Sequence, residues 1–307
     1  MFLKIISNNN LVGKISFFVF FVFVICFKFL FSNSEHVNLD TITTIVSSAN
    51  IYIILNFIFL FFISIGLNNM IYEKGIIKKN NTLVAIVFLT IHPFLYDFDL
   101  LLIGVFILFF LEKIIEIFFN DKINNQVFYA AFLISCASLF NFYLIFYSLL
   151  PLFFIFLFKQ DNIRYFIIYL LGLIVPYFFI YFLELLFEFK LFNNINSSTT
   201  FLFQLKDLKF FIPLVLISIF SFIELFNWMN KKSIRSRNSF FIIIFFAIFT
   251  ILFLLLRIIS FSYFVLLFSF PASLFLANYY LYSKRIFIKH FLFFIFTLTM
   301  FFSYYNF

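Results

Sequence analysis

Four carboxylates in short polar segments carry the chemistry that this sequence could perform. Glu35 and Asp40 lie in a polar segment that contains no lysine or arginine, and Asp97 and Asp99 lie in the short break between two apolar runs. A carboxylate held near a membrane surface can act as a general base or bind a divalent metal ion. We predict these four residues as the catalytic candidates, with a divalent metal as a candidate cofactor.

Three other side chains are candidates for binding a substrate. Arg257 follows an apolar run, and its guanidinium suits a phosphate or diphosphate group. His36 adjoins the first acidic group, and His92 precedes Pro93, at which a helix bends or ends. A histidine at such a bend can relay protons, or it can bond a backbone carbonyl that the proline has freed. Both interpretations stay open.

The acidic residues also have a simpler explanation. Loops between membrane-spanning helices need solvated polar side chains, and surface charges usually serve no other purpose. Asp97 and Asp99 are the strongest chemical candidates, because a very tight turn would hold both carboxylates near the membrane interface. The sequence contains no motif for phosphate binding, zinc-dependent hydrolysis or a serine nucleophile.

The composition requires that helices in a lipid bilayer position these residues. The chain of 307 residues is 65% hydrophobic and 11% charged, with a mean hydropathy of +1.15. Soluble domains are about 45–50% apolar and about 25% charged. The chain must therefore use lipid as part of its solvent. We predict an all-α fold, a polytopic transmembrane helical bundle that forms one integral-membrane domain over residues 1–307.

Apolar runs divide the chain into about eleven predicted spans, within a range of about ten to twelve. Residues 127–158 are too long for one span and short for two, and Asn141 and Pro151 interrupt them. We favour a compact helical hairpin there, since a single kinked helix would invert every later span. The predicted spans are residues 15–31, 49–67, 82–96, 100–119, two within 127–158, 165–187, 210–229, 239–256, 261–282 and 289–307.

Basic residues orient these spans. Residues 231–237 form the densest basic segment, and cytoplasmic loops carry the excess of Lys and Arg. With this segment inside, 16 of the 21 basic residues fall on the cytoplasmic side, the N-terminus lies inside and the C-terminus outside. We therefore predict a multi-pass protein of the bacterial inner membrane. Its net charge of +8 follows from topology and does not indicate nucleic-acid binding.

One charged group falls within a predicted span. Glu112 and Glu116 are four residues apart and share a helix face, and Lys113 precedes Glu116 by three residues. Charges deep in lipid are costly and often mark an ion or proton path. An interfacial salt bridge at the inner end of the span is the alternative.

Four short sequence phrases carry a resemblance to a known family. They are Ala137-Ser138-Leu139-Phe140, Gly172-Leu173-Ile174-Val175-Pro176-Tyr177-Phe178, Lys231-Lys232-Ser233-Ile234-Arg235-Ser236-Arg237, and Pro271-Ala272-Ser273 with Leu276-Ala277-Asn278-Tyr279-Tyr280. Their order and spacing resemble an uncharacterised flavobacterial family of multispan inner-membrane proteins, a domain of unknown function. The resemblance covers nearly the whole chain and implies an inner-membrane location and a cell-envelope role. It implies no catalytic residues, because none are established for that family.

Three functions fit these observations. The first is an enzyme that acts on a lipid-linked substrate at the outer face, similar to multispan glycosyltransferases; the outer acidic groups favour it. The second is a transporter or flippase, which prolines within the spans favour and the lack of an internal repeat disfavours. The third is a noncatalytic membrane assembly partner that binds another envelope protein, and this function needs no motif.

Overall fold

A computed structural model describes most of the chain. It covers residues 11–31, 49–77, 81–91, 98–117, 123–158, 162–187, 233–283 and 286–305, together with scattered helical positions between 215 and 229. All regular structure in these residues is helical, which confirms the predicted all-α fold.

Ten α-helices and one 3-10 helix have defined bounds. They are α1 (Leu11–Phe31), α2 (Ala49–Glu73), α3 (Leu83–Ile91), α4 (Phe98–Ile117), α5 (Asn124–Phe140), the 3-10 helix (Phe142–Ser148), α6 (Leu149–Phe158), α7 (Asn162–Phe187), α8 (Ile234–Leu255), α9 (Phe261–Tyr282) and α10 (Ile286–Tyr305).

Within the described ranges, four helical stretches are long and apolar enough to cross a membrane, as judged by length and composition. They are Leu55–Glu73, Ile163–Leu186, Ser236–Leu255 and Phe261–Tyr282. Shorter apolar helices occupy Gly13–Val24, Phe142–Phe156 and Phe287–Met300. This agrees with a membrane-embedded protein, whereas eleven spans and an inside N-terminus stay predictions.

The chain divides into two compact units. The first unit comprises residues 1–101, 203–233 and 268–307, and the second comprises residues 102–202 and 234–267. Helices α4 and α9 each contribute residues to both units.

Helix α3 forms the centre of the first unit. All nine of its residues are buried, and α1, α2 and α10 pack against it. Asn81 begins the helix by accepting a hydrogen bond from the backbone N–H of Leu83 (2.9 Å), which satisfies one of the free N–H groups at the helix start. On α3, Phe88 contacts Phe270 of α9, with ring centroids 5.4 Å apart.

Helices α5 and α7 pack side by side in the second unit and run parallel. Ser135 donates a hydrogen bond to the carbonyl of Leu173 (2.7 Å), and the hydroxyls of Ser138 and Tyr177 lie 2.7 Å apart. The later residue of α5 thus contacts the later residue of α7, which shows that the two helices run in the same direction. Small residues allow this close approach, as is common between helices in membranes.

The chain reverses direction between α5 and α6. Asn141 adopts an extended backbone (φ −147°, ψ 109°), and its Oδ1 accepts a hydrogen bond from the N–H of Tyr143 (3.0 Å). This begins the 3-10 helix Phe142–Ser148, whose seven residues exceed the usual three or four.

A buried cluster shows where the reversed chain goes. Val127, near the start of α5, belongs to the same cluster as Ile155, near the end of α6, and Tyr169 of α7. The chain must return between these positions, since continuous helix from 127 to 155 would separate them by about 40 Å. The predicted reversal within residues 127–158 is therefore confirmed.

Candidate functional site

Most of the predicted site residues lie outside the described part of the chain. Glu35, His36, Asp40, His92 and Asp97 belong to this group, so their catalytic and binding roles stay predictions. Asp99 and Arg257 are described, the first in unit one and the second in unit two.

Asp99 stands in the first turn of α4 and is half-buried. A carboxylate at this position interacts favourably with the partial positive charge at the helix N-terminus. The local structure therefore gives Asp99 a stabilising role, beside the catalytic role that the sequence suggests.

Arg257 ends helix α8 in a defined capping arrangement, here called the Arg257 cap. The N–H of Ile258 donates to the carbonyl of Phe253 (2.9 Å), and the N–H of Arg257 donates to the carbonyl of Leu254 (2.9 Å). These two bonds define a Schellman cap, in which the residue after the helix adopts the left-handed conformation. Arg257 does so with φ 57°, and its side chain is exposed.

The same capping arrangement ends α2, where glycine takes the left-handed position. In this Gly75 cap, the N–H of Ile76 donates to the carbonyl of Ile71 (3.0 Å) and the N–H of Gly75 to that of Tyr72 (2.9 Å). Gly75 has φ 64°. Among the described residues, Arg257 is the one non-glycine with positive φ. Its left-handed backbone costs about 1 kcal/mol that glycine would avoid.

The 3-10 helix packs against the end of α8 that carries the Arg257 cap. The ring of Tyr147 meets the ring of Phe253 edge-on, with centroids 4.9 Å apart, and Phe146 lies 6.1 Å from the same ring. Tyr147 also contacts Phe246, which precedes Phe253 by about two turns of α8, with ring centroids 5.3 Å apart. Phe253 thus joins the two irregular features of this unit, because its carbonyl caps α8 and its ring supports the 3-10 helix.

Tyr147 is fully buried in this aromatic contact, yet its hydroxyl has no hydrogen-bond partner among the described residues. A buried hydroxyl without a partner costs free energy and calls for an explanation. By contrast, the buried hydroxyl of Tyr169 donates to the carbonyl of Ser148 (2.9 Å) and fixes the end of the 3-10 helix. This end of α8 therefore combines an exposed cation with a buried aromatic contact between Phe253 and Tyr147.

Such an arrangement can bind an anion that carries an apolar chain. The guanidinium supplies charge and up to five donors for a phosphate, and the aromatic rings supply apolar surface. No three Asp, Glu, His or Cys residues of the described ranges come together to hold a metal ion. Since Glu35, Asp40 and Asp97 lie outside those ranges, the divalent metal stays a prediction.

No local sequence pattern distinguishes Tyr147 or Phe253 as part of a site. Phenylalanine contributes 63 of the 307 residues, so no single aromatic residue stands out from its neighbours. Asn141 was the available signal, because a helix-interrupting polar residue within an apolar run indicates an irregular segment nearby.

The charged group in α4 forms an ion pair. Lys113 Nζ donates to Glu116 Oε2 at 2.8 Å and lies 4.0 Å from Glu112 Oε1. The three side chains are 17–27% exposed, so the charges are partly desolvated. The salt bridge is thus present, and its position at the inner membrane interface stays a prediction.

We expect Lys113→Met to lower the free energy of unfolding by about 1–2 kcal/mol, between the values for exposed and buried pairs. The cause is that the ion pairs of Lys113 with two partly buried carboxylates would be lost. The double variant Lys113→Met/Glu116→Gln should recover part of the loss, because it also neutralises the closer carboxylate while Glu112 stays charged. Thermal unfolding in detergent measures the effect. Arg164→Met removes an exposed cation as a control, and an equal effect there would contradict the prediction.

The whole chain, residues 1–307, matches the sequence profile described as Family of unknown function (DUF6427). No curated protein and no solved structure matches the chain significantly.

Proposed function

The chain belongs along its whole length to the DUF6427 family of unknown function, and we propose that it is an integral inner-membrane protein with a cell-envelope role that acts on a lipid-linked substrate at the outer face. In this proposal Arg257 binds the phosphate or diphosphate of the substrate. The chemistry that follows is group transfer of the kind that multispan glycosyltransferases perform.

The Arg257 cap is the observation that carries this proposal. A left-handed arginine persists where glycine would be more stable, and the chain itself uses glycine in the Gly75 cap. Strained backbone at a non-glycine residue points to a function for its side chain. An exposed arginine beside an aromatic wall suits an amphiphilic anion.

The acidic residues and histidines predicted from the sequence are the candidates for the other roles in this proposal. Asp97 and Asp99, with Glu35 and Asp40, supply the general base or hold a divalent metal. His36 and His92 contact the substrate. Because all of these residues flank predicted outer ends of spans, the substrate headgroup would be handled on that side of the membrane.

Arg257→Gly tests the proposal, because stability and activity should move in opposite directions. We expect the free energy of unfolding to stay equal or rise by up to about 1 kcal/mol, since glycine removes the left-handed cost while its unfolded-state entropy offsets part of the gain. Lipid-linked envelope glycan should fall roughly tenfold to a hundredfold, the value of a charge-assisted hydrogen bond. Mass spectrometry of membrane extracts from a deletion strain carrying each variant measures the glycan.

Gly75→Arg is the matched control, since it places the same residue in the other cap. An added Cβ at Gly75 meets nothing within 4 Å, so only the backbone cost should appear. The glycan should then change only as far as the amount of folded protein does. Unchanged glycan in Arg257→Gly would remove Arg257 from the site.

The discontinuous segment from α5 to α6 favours a second candidate, a flippase for the same lipid. Broken helices surround the substrate path in many transporters. The two functions are distinguished by reconstituting the purified protein in vesicles that contain a fluorescent polyprenyl phosphate and measuring the movement of this probe between the leaflets. Movement of the probe between leaflets without any change in its headgroup would support the flippase.

A further inference from the structure

A stripe of exposed apolar side chains runs along the 3-10 helix and α6. Phe146, Leu149 and Phe153 are 40–52% exposed and follow one another at intervals of three and four residues. Three residues make about one turn of a 3-10 helix and four make about one turn of an α-helix, so the three side chains lie on one face. The stripe therefore extends from the predicted outer end of the hairpin down towards its inner end.

Helix α8 lies antiparallel beside this stripe. Phe146 contacts Phe253 with centroids 6.1 Å apart, and Phe153 contacts Phe245 at 5.5 Å. We call the boundary defined by these four rings the aromatic seam. On the α8 side, Leu252 is 45% exposed, so apolar surface is accessible from both helices.

The aromatic seam leads directly to the Arg257 cap. Arg257 follows Phe253 by four residues, and Phe245 precedes it by twelve, so the seam and cap together span about 18 Å along α8. The buried ring of Tyr147 packs edge-on against the ring of Phe253, so this part of the seam rests on the core of the unit. One end of the seam is thus polar and cationic, and the rest is apolar.

We infer that the aromatic seam binds the apolar chain of a polyprenyl phosphate whose phosphate is bound by Arg257. This inference rests on the proposed function and names the lipid class of its substrate. The phosphate must be attached directly to the chain, because the cation stands at the end of the seam itself. A single seam takes one chain, which favours a single-chain lipid over a two-chain phospholipid.

Charge supports the same assignment. Arg257 places an exposed cation at the end of the seam. The charge of the lipid and the polarity of this end of the seam are complementary, whereas ordinary lipid contact requires only apolar surface.

Photo-labelling of the full-length protein in nanodiscs tests the inference. The probe is a polyprenyl phosphate with a diazirine on its chain, compared with the neutral polyprenol and with phosphatidylglycerol that carry the same group. We expect polyprenyl phosphate to label peptides from 142–156 and 245–256 about tenfold more than peptides of α7, whose membrane-length stretch is only 17% buried and reports ordinary lipid contact. Arg257→Gly should reduce seam labelling to the level of the polyprenol.

A blocking substitution provides an independent measurement. Leu149→Trp fills the stripe, and Ile174→Trp enlarges an exposed residue of α7 that is 59% exposed. Because both side chains are exposed, neither substitution should prevent folding. We expect Leu149→Trp to lower seam labelling about tenfold and Ile174→Trp to leave it unchanged.

Equal labelling of α7 and the seam, or equal labelling of the seam by phosphatidylglycerol, would overturn the inference. Failure of the seam and failure of the proposed function give different results. If Arg257→Gly still lowers the envelope glycan while the seam is not labelled, the lipid chain does not bind along the seam and the proposed function stands. If the seam is labelled in an Arg257-dependent way while the glycan never changes, the lipid site stands and the transfer function is wrong.

Discussion

Gly172→Ala is expected to lower the free energy of unfolding by about 1–3 kcal/mol, although alanine is the better helix former. Gly172 is buried where α7 meets α5. An added Cβ would lie 2.7 Å from the Cβ of Ala131 and 2.7 Å from the carbonyl oxygen of Phe128. Both distances are far below van der Waals contact, so the two helices would have to separate.

The gain in helix propensity on replacing glycine by alanine is smaller than the cost of this steric clash. Replacing glycine by alanine within a helix gains about 1 kcal/mol. Separation of α5 and α7 would weaken the hydrogen bond from Ser135 to Leu173 and the contact between Ser138 and Tyr177, in addition to the lost packing. The midpoint of thermal unfolding in detergent measures the net effect.

A second substitution separates the two clashes. Ala131→Gly in the Gly172→Ala background removes the Cβ contact but leaves the carbonyl of Phe128, which is backbone and cannot be removed. We therefore expect only partial recovery of the unfolding midpoint. Ile174→Ala, on the exposed side of the same helix, controls for general effects on α7. Full stability of Gly172→Ala would show that the helices are less tightly packed than the structure indicates.

The helical architecture could be predicted because it depends on local composition. Long apolar runs separated by polar breaks predict helices, and most predicted spans agree with observed helices to within a few residues. The reversal near Asn141 was also predictable, since a polar residue interrupts a run that is too long for one span. The approach of Gly172 to Ala131 was not, because it depends on the register of two helices that are distant in sequence.

The candidate site was predictable only in part. Arg257 was predictable as a candidate, because it is a charged residue at the end of an apolar run. Its left-handed backbone conformation was not predictable, because arginine rarely adopts that conformation. Gly75 is the opposite case, since glycine after an apolar helix indicates such a cap. Tyr147 was missed because nothing in the local sequence shows which ring becomes buried against Phe253.

The two caps show how stability and function can be separated in this chain. At Gly75 the chain uses the residue that the backbone prefers, and the cap serves only to end α2. At Arg257 the same two hydrogen bonds end α8, yet the chain uses a residue that the backbone disfavours. The difference between the two positions lies in the side chain, and the proposed function gives that side chain a role.

The double variant Asp97→Asn/Asp99→Asn should lower the lipid-linked envelope glycan at least about a hundredfold, because a general base contributes roughly a hundredfold to ten-thousandfold. Asparagine matches aspartate in size but can neither accept a proton nor bind a metal ion strongly. The assay is the same measurement of glycan in a deletion strain, with the amount of folded protein determined in parallel.

Asp99→Glu separates chemistry from helix stabilisation. Asp99 in the first turn of α4 stabilises the helix by about 0.3–1 kcal/mol through its negative charge, which glutamate keeps and asparagine loses. If Asp99 serves only the helix, Asp99→Glu will restore both the unfolding midpoint and the glycan. If its carboxylate takes part in the reaction, the midpoint will be restored while the glycan stays low, because the added methylene displaces the carboxylate from its reacting position. Wild-type glycan in the double asparagine variant would remove both aspartates from the proposed mechanism.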